Sequence, residues 1–212
     1  SGNTYLAIRH GKAESNARNI LSSSLTNTHH LTDEGRVQVE AALASLKEYK
    51  IDMIVTSPIL RAKETAEIVA EGVGIAKENI IFDERLVEIN GGVMDGVSID
   101  EWNTKFPAAL VFDTAPENGE SLRDVKRRVG AALYDLESKY QNKTILIVSH
   151  GDPLWMLNCV LCHGDREKCL SIEEDYFKNA EVRTLDFVPA PHNAEYELDL
   201  HRPYIDSIVL VD

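Results

Sequence analysis

The sequence contains few cysteines and no long apolar run. Its three cysteines, Cys159, Cys162 and Cys169, are an odd number within one short region, which is a poor basis for a disulfide framework. No segment has the roughly 20 consecutive apolar residues that a membrane-spanning helix needs, and the first residues lack the charged-then-apolar pattern of a secretory signal. We therefore expect reduced thiols, no membrane association and a cytoplasmic location.

The cysteine region also matches two cofactor patterns. Cys159-Val160-Leu161-Cys162-His163 has the spacing of a c-type haem attachment site, and Cys169 would extend it to a zinc cluster. However, residues 153–161 form an apolar run with helical character, in which free cysteines commonly pack as small hydrophobic side chains. We therefore expect no cofactor and no metal, and the sequence leaves the role of the cysteines open.

Basic residues are also scarce relative to acidic ones. The chain has 22 Lys and Arg against 35 Asp and Glu, which gives a formal net charge of −13. Long-range repulsion then disfavours a broad nucleic-acid or anionic-membrane surface, although a small basic pocket is still compatible with this charge. With 212 residues, of which 43% are hydrophobic, the chain can bury a substantial core and fits either one domain or one domain with a short appendage.

Two apolar segments are each followed by a histidine and a glycine. Residues 5–8 lead into Arg9-His10-Gly11, where we expect the glycine to permit a sharp turn, and residues 143–148 lead into Ser149-His150-Gly151. Strand patterns alternate with helix patterns throughout the chain, which predicts an α/β fold with three α/β/α layers and a mostly parallel central sheet. The carboxyl ends of parallel strands lie at one edge of such a sheet, so the two histidines should meet there.

Apolar runs, capping residues and turn residues predict the other elements. Further strands are expected at residues 53–56 and 79–82, with a late strand at 180–188. One helix should begin after Thr32 as its N-cap, and another should run from Ser121 to about residue 140. Residues 16–30 should form a loop beside the site, and residues 93–118 a long connection with one short helix.

Three charged residues lie near the predicted strand ends, and each has a functional and an ordinary interpretation. Arg61 opens a helix after residues 53–56, where it would either hold an anion or pair on the surface with Glu64. Glu88 lies between apolar neighbours, which would raise its pKa towards values useful for proton transfer unless it is simply exposed. Glu120, near a helix start, would either contact a ligand or need no functional explanation.

The side chains expected at this edge suit a phosphoryl group. Arg9, Arg61, His10 and His150 would converge there with one nearby carboxylate, Glu88. Forked guanidinium donors match phosphate oxygens and repel a cation, whereas a metal site would require more carboxylates. The residues therefore indicate a phosphate pocket.

Five motifs in this order resemble the histidine phosphatase, or phosphoglycerate-mutase-like, superfamily, over roughly residues 4–188. They are Arg9-His10-Gly11 with Asn16, Ser57-Pro58-Ile59-Leu60-Arg61-Ala62-Lys63-Glu64-Thr65-Ala66, Leu86-Val87-Glu88, Gly119-Glu120-Ser121, and Ser149-His150-Gly151. The resemblance implies an enzyme that hydrolyses a small phosphorylated substrate through a phosphohistidine.

The resemblance also assigns roles to residues. It implies that His10 attacks phosphorus as a neutral imidazole, and that Glu88 exchanges protons with the leaving oxygen and then with water. It further implies that Arg9, Arg61, His150 and Asn16 hold the phosphoryl oxygens, with His150 also part of the catalytic set. No metal takes part in this chemistry.

The C-terminal segment resembles a different protein. Residues 189–193 are linker-like because of their prolines, and residues 197–210, with Leu200-His201-Arg202-Pro203 followed by Ile205-Asp206, resemble a segment of isoleucyl-tRNA synthetases. We therefore divide the chain into a phosphatase-like domain, 1–188, and a linker and tail, 189–212. The resemblance implies a domain of a synthetase-related protein, with other synthetase domains as partners and no catalytic role for His201 or Arg202. The chain lacks the motifs needed to charge tRNA itself.

The sequence leaves three functions open. Phosphomonoester hydrolysis is the leading interpretation, and mutase-type phosphoryl transfer and a non-catalytic phosphate-binding module are the alternatives. Intact Glu88 favours catalysis over binding alone. Neither the physiological substrate nor the oligomeric state follows from the residues.

Overall fold

A computed structural model describes the chain over residues 1–187, except for the side chain of Glu174. Apolar segments form one sheet, with strands β1 Thr4–Arg9, β2 Met53–Thr56, β3 Ile80–Phe82, β4 Thr144–Ser149 and β5 Val182–Leu185. Their spatial order is β3-β2-β4-β1-β5. The first four strands are parallel, and β5 pairs antiparallel with β1 at the edge. This arrangement confirms the mostly parallel sheet that the sequence predicts.

Helices connect and cover the strands. They are α1 Glu14–Ala17, α2 Asp33–Leu46, α3 Leu60–Val73, α4 Ile99–Lys105, α5 Ala108–Val111, α6 Leu122–Lys139, α7 Gly151–Leu161 and α8 Arg166–Ser171. Single 3₁₀ turns lie at Lys77–Asn79, Glu84–Leu86, Gly92–Met94 and Glu173–Asp175.

Alternating side chains on the strands build two cores, one on each face of the sheet. On β1, Leu6 and Ile8 pack with α2 and α3, whereas Tyr5 and Ala7 pack on the opposite face with α6 and α7. The period of two residues in a strand produces this division. The three α/β/α layers expected from the sequence are therefore confirmed.

The predicted helix starts are also confirmed. The hydroxyl of Thr32 accepts a hydrogen bond from the amide of Gly35, and the side chain of Ser121 accepts one from Asp124, which caps α6. The expectation of one short helix within residues 93–118 is wrong, since α4 and α5 both lie there. Helices of this length owe their stability to tertiary packing rather than to propensity, so local sequence predicts them poorly.

The three thiols are free and pack near the end of α7. Cys159 and Cys169 are buried and Cys162 is exposed, and the thiol of Cys169 donates to the carbonyl of Gly164 over 3.4 Å. Among residues 1–187, no group of three or more His, Cys, Asp or Glu side chains is arranged to hold a metal ion. The buried thiols therefore contribute to the apolar packing around α7.

Two further expectations concern membrane association and the C-terminal tail. Within the described part of the chain, no helix is both long and apolar enough to cross a membrane. The proposed boundary at residue 188, the linker at 189–193 and the tail with His201 and Arg202 lie outside the described residues.

Candidate active site

The two histidines leave neighbouring strands at the same edge of the sheet. Strands β1 and β4 pair in parallel with Arg9 opposite Ser149, so His10 and His150 are the next residues on each strand. Their ring centroids lie 5.1 Å apart. The amide of His10 donates to the carbonyl of Ser149 over 3.0 Å, which continues the ladder to the site. The meeting of these residues, predicted from the strand pattern, is observed.

Gly11 serves a different purpose from the one expected. A sharp turn through a left-handed backbone is not observed, because Gly11 does not adopt a positive φ. A Cβ atom at this position would instead lie 2.4 Å from the carbonyl oxygen of Gly35 and 2.8 Å from Val39. The glycine therefore lets the loop after His10 approach the first turn of α2 closely.

His10 is held as one neutral tautomer. Its Nδ1 lies 2.7 Å from the carbonyl oxygen of Gly11, which can only accept a hydrogen bond, so Nδ1 carries the proton. Its Nε2 lies 3.0 Å from Nε of Arg61, which can only donate, so Nε2 is unprotonated. Burial, followed by the charges of Arg61 and Arg9, holds the pKa of His10 well below its ordinary value. Nε2 is therefore the ring nitrogen whose lone pair can act as a nucleophile.

Nuclear magnetic resonance can test this protonation state directly. We expect the ¹⁵N shifts of His10 to report a neutral ring protonated at Nδ1 at about pH 6.5, where a solvated histidine is half protonated. An Arg61→Gln variant removes a cation and should raise the pKa of His10 above its wild-type value, with a histidine-containing model peptide as the reference. Titration of wild-type His10 at the peptide's pKa would contradict the assignment.

Arg61 is the second residue of α3 and is only 3% exposed. Besides its bond to His10, its Nη2 donates to the carbonyl oxygen of Ser22 over 2.8 Å. Burial is the main reason that the pKa of Arg61 falls to about 10, while the nearby carboxylate of Glu88 acts in the opposite direction. The interpretation as a surface arginine paired with Glu64 is wrong, because Glu64 accepts instead from His30 and Arg36.

Three buried side-chain nitrogens in this cluster have no hydrogen-bond partner within the described residues 1–187. They are Nε of Arg9, Nη1 of Arg61 and Nδ1 of His150. The remaining contacts of these side chains fix their orientation: Nη1 of Arg9 donates to the carbonyl oxygen of Phe177 over 2.8 Å, and Nε2 of His150 lies 2.8 Å from the hydroxyl of Ser57. A buried polar group without a partner costs about 1–3 kcal/mol. An anion bound beside His10 would supply the missing acceptors.

The structure also places Glu88 and Asn16 at this site. Glu88 is 8% exposed and accepts a hydrogen bond from the amide of Ile89 over 3.0 Å, so it is not the ordinary exposed glutamate of the alternative interpretation. The side-chain oxygen of Asn16 accepts from the amide of Ala13 over 2.9 Å, which leaves its NH₂ group as the end available for an anion. Both residues line a cavity together with His10.

Glu120 acts through an arginine rather than in the cavity. Its two carboxylate oxygens accept from Arg128, whose guanidinium also donates to the carbonyl oxygens of Arg85 and Glu88. Glu120 is not among the residues that line the cavity. Its ligand-contact interpretation is therefore not supported, and the residue instead fixes the backbone that carries Glu88.

The cavity beside His10 has a volume of about 450 Å³. Arg9, Arg61 and Glu88 line it together with His10, and its other lining residues include both polar side chains and apolar side chains from α4, α5 and α7. His150 is fully buried and is not among the residues that line this cavity, although its ring is next to that of His10. The sequence-predicted residues therefore form one cluster, in which His150 is more buried than the lining residues.

Sequence reasoning missed Asp152 and Tyr176. The hydroxyl of Tyr176 donates to Asp152 over 3.1 Å, and the Tyr176 ring lies 5.3 Å from the Arg9 guanidinium. Burial, and then the charge of Glu88, raises the pKa of Asp152 to about 7. A Cβ atom on Gly151 would collide with the Tyr176 hydroxyl, so the glycine makes this contact possible. Asp152 was visible in the motif after His150, whereas no local signal marks Tyr176.

The segment before β5 makes hydrogen bonds to Arg9 and His10. The amide of Ala180 donates to the carbonyl of Arg9 over 3.0 Å, and the side chain of Asn179 donates to the carbonyl of His10 over 3.0 Å. With the contact between Arg9 and Phe177, this segment makes bonds to both residues of the Arg-His pair. The main chain of Arg9 and His10 is thus held by β4 on one side and by the segment before β5 on the other.

Comparison with solved structures identifies the same architecture. A mycobacterial glucosyl-3-phosphoglycerate phosphatase superposes with a TM-score of 0.76 at 23% identity, over 86% of this chain and 92% of that one. YhfR of Bacillus stearothermophilus gives a TM-score of 0.73 at 27% identity, over 91% and 93% of the two chains. The fold is therefore shared with both of these structures.

Sequence comparison gives the family. A 2,3-bisphosphoglycerate-dependent phosphoglycerate mutase of Bartonella tribocorum is 32% identical over 81% of this chain and 87% of its own length. A probable phosphoglycerate mutase of Escherichia coli is 34% identical over 71% and 70% of the two chains. The model of the histidine phosphatase superfamily (branch 1) matches residues 5–193, five residues beyond the boundary drawn at residue 188. The chain belongs to branch 1 of the histidine phosphatase superfamily.

Proposed function

We propose that this protein hydrolyses phosphomonoesters through a phosphohistidine on Nε2 of His10. The observation that carries the proposal is the neutral His10, whose Nε2 lone pair accepts only from Arg61, together with buried nitrogens of Arg9, Arg61 and His150 that have no hydrogen-bond partner within residues 1–187. A phosphoryl group placed against Nε2 would bring its oxygens to the guanidinium nitrogens of Arg9 and Arg61. Nδ1 of His150 would join them as a donor in the tautomer whose Nε2 accepts from the Ser57 hydroxyl. The phosphoryl group would thus both receive the nucleophile and satisfy the buried nitrogens.

In the first step, Nε2 of His10 attacks phosphorus and the bond from phosphorus to the leaving oxygen breaks. Glu88 gives its carboxyl proton to that oxygen, so the product leaves as a neutral alcohol. The guanidinium of Arg61 leaves Nε2 and turns to the phosphoryl oxygens. The Gly11 carbonyl, 2.7 Å from Nδ1, stabilises the positive charge that develops on the ring.

In the second step, water attacks phosphorus on the side away from the ring. The Glu88 carboxylate takes a proton from this water, the bond between nitrogen and phosphorus breaks, and His10 returns to its neutral tautomer. Arg9, Arg61, His150 and Asn16 hold the oxygens through both steps. The product is inorganic phosphate, and the enzyme regains its starting protonation.

Trapping the intermediate tests the proposal. After brief incubation with a ³²P-labelled phosphomonoester and a quench in base, we expect label on the protein that is stable to base and labile to acid, as a phosphoramidate should be. Peptide mapping should assign the label to His10. Label on a serine, or none during active turnover, would contradict the covalent mechanism.

Phosphoglycerate mutase activity is the second candidate, favoured by the identity of 30–34% to relatives with that name. In that case the phosphohistidine would return its phosphoryl group to a bound phosphoglycerate rather than to water. Conversion of 3-phosphoglycerate to 2-phosphoglycerate, stimulated by 2,3-bisphosphoglycerate, would establish it. Phosphate release without this conversion would favour the hydrolase.

We also propose, from the resemblance of residues 197–210 alone, that the domain belongs to a synthetase-related polypeptide. None of the relatives named above is a synthetase, so the proposal has no further support. Mass spectrometry of the endogenous protein would test it: peptides from a synthetase core on the same polypeptide would support the fusion. A polypeptide without such peptides would refute it.

A further inference from the structure

The segment of α4 and α5 gives the cavity an apolar wall. Ile99 and Trp102 of α4, Phe106 directly after it, and Ala108 and Val111 of α5 line the cavity, with Asn103 as the polar side chain among them. The rings of Trp102 and Phe106 stack with centroids 5.3 Å apart. Trp155 of α7 adds a further aromatic surface. A leaving group that extends from a phosphoryl group at His10 would therefore meet hydrocarbon and aromatic surface.

Main-chain hydrogen bonds fix the apolar wall, which is the surface formed by Ile99, Trp102, Phe106, Ala108 and Val111. The amide of Leu21 donates to the carbonyl of Val97 over 2.9 Å, and the amide of Ile99 donates to the carbonyl of Asn19 over 2.9 Å. Residues 19–21, which also line the cavity, are thereby joined to the start of α4. Trp102 is only 6% exposed, so packing holds its ring in place without a ligand. The wall is preformed, which limits the entropic cost of binding against it.

The charges in the cavity disfavour a second anion. Among the described residues that line it, the basic side chains are Arg9, Arg61 and neutral His10, all needed at the phosphoryl group. Three acidic side chains, Glu88, Asp152 and Glu173, line the same cavity. A carboxylate or second phosphate on the substrate would thus lack a cationic partner and face like charges.

We propose that the preferred substrates are phosphomonoesters of uncharged, apolar alcohols, with an aryl or arylalkyl group of about one ring. This inference rests on the proposed hydrolase function and specifies its substrate class. The ring lies against the wall formed by Phe106 and Trp102, while Arg9 and Arg61 neutralise the phosphoryl group. Phosphoglycerates, which carry a carboxylate, are poor substrates of this cavity.

The test compares primary alkyl phosphates, so that leaving-group reactivity varies little. We expect kcat/KM for 2-phenylethyl phosphate to exceed that for 3-phosphoglycerate and for glycerol 3-phosphate by about 50-fold, from burial of the ring. Equal or greater kcat/KM for 3-phosphoglycerate, or its isomerisation, would overturn the inference while leaving the phosphohistidine chemistry intact. No phosphate release from any of the three above the His10→Ala background would instead refute the proposed function.

Two lysine substitutions locate the selectivity. Phe106→Lys replaces an aromatic ring of the wall with a cation, which disfavours the phenyl group and gives a carboxylate a partner. The ratio of kcat/KM for 2-phenylethyl phosphate to that for 3-phosphoglycerate should therefore fall by about tenfold or more. Phe82→Lys is the matched control, because Phe82 is 50% exposed on β3 and does not line the cavity; its ratio should equal the wild-type ratio. General destabilisation would lower both rates together, so an unchanged ratio in Phe106→Lys would contradict the assignment of the wall.

Discussion

The His10→Ala variant is expected to lose phosphomonoester hydrolysis by at least ~10³-fold in kcat, because the covalent route disappears with Nε2. The expectation follows from the tautomer that Gly11 and Arg61 impose on the ring. Steady-state phosphate release from 2-phenylethyl phosphate, measured for variant and wild type, checks it. The phosphoenzyme should also be absent from the variant.

The controls separate chemistry from folding. His30→Ala removes an exposed histidine that pairs with Glu64 outside the site, and it should retain wild-type turnover. His10→Ala keeps the donors of Arg9, Arg61 and His150, so inorganic phosphate should still raise its Tm. Wild-type turnover in His10→Ala would exclude His10 as the nucleophile. A wild-type protein that binds phosphate but turns over no faster than the variant would indicate a binding module.

The Glu88→Gln variant is expected to show a loss that depends on the leaving group. For 2-phenylethyl phosphate, whose alcohol must be protonated as it departs, kcat/KM should fall by ~10³-fold. For p-nitrophenyl phosphate the first step needs little acid catalysis, so a burst of p-nitrophenol should precede slow turnover as the phosphoenzyme accumulates. Stopped-flow absorbance measures the burst.

Asp152 is the alternative candidate for the proton donor. Asp152 lines the same cavity, and its pKa of about 7 suits proton transfer. If Asp152→Asn, rather than Glu88→Gln, shows the leaving-group-dependent loss, the proton donor is Asp152. Glu101→Gln, on the exposed side of α4 where it pairs with Lys105, is the matched control and should behave as wild type.

The residues at strand ends were predictable because one local pattern marks them. An apolar run followed by His10 or by His150 indicates where a buried strand ends, and the parallel sheet then places both at one edge. Arg61 was predictable for the same reason, since it opens the helix after β2. Local sequence and global topology agree at these positions, so the prediction extended from single strands to the meeting of distant residues.

Contacts made over a long sequence distance were not predictable in this way. The approach of Tyr176 to Asp152 depends on a missing Cβ at Gly151, and the Arg61 bond to the Ser22 carbonyl depends on the path of a loop. The apolar wall was missed because α4 and α5 are too short to have a clear period of their own. These features specify the substrate, whereas the predictable ones specify the chemistry.

The segment at residues 177–185 sets a practical limit on how the chain can be shortened. Phe177, Asn179 and Ala180 bond directly to Arg9 and His10, and β5 anchors them at the edge of the sheet. A fragment that stops before β5 would keep every residue assigned to the chemistry, yet residues 177–180 would lose the pairing of β5 with β1 that holds them against Arg9 and His10. A fragment expressed as an active domain should therefore end after Leu185. Proteolytic cleavage within residues 177–185 is expected to inactivate the protein.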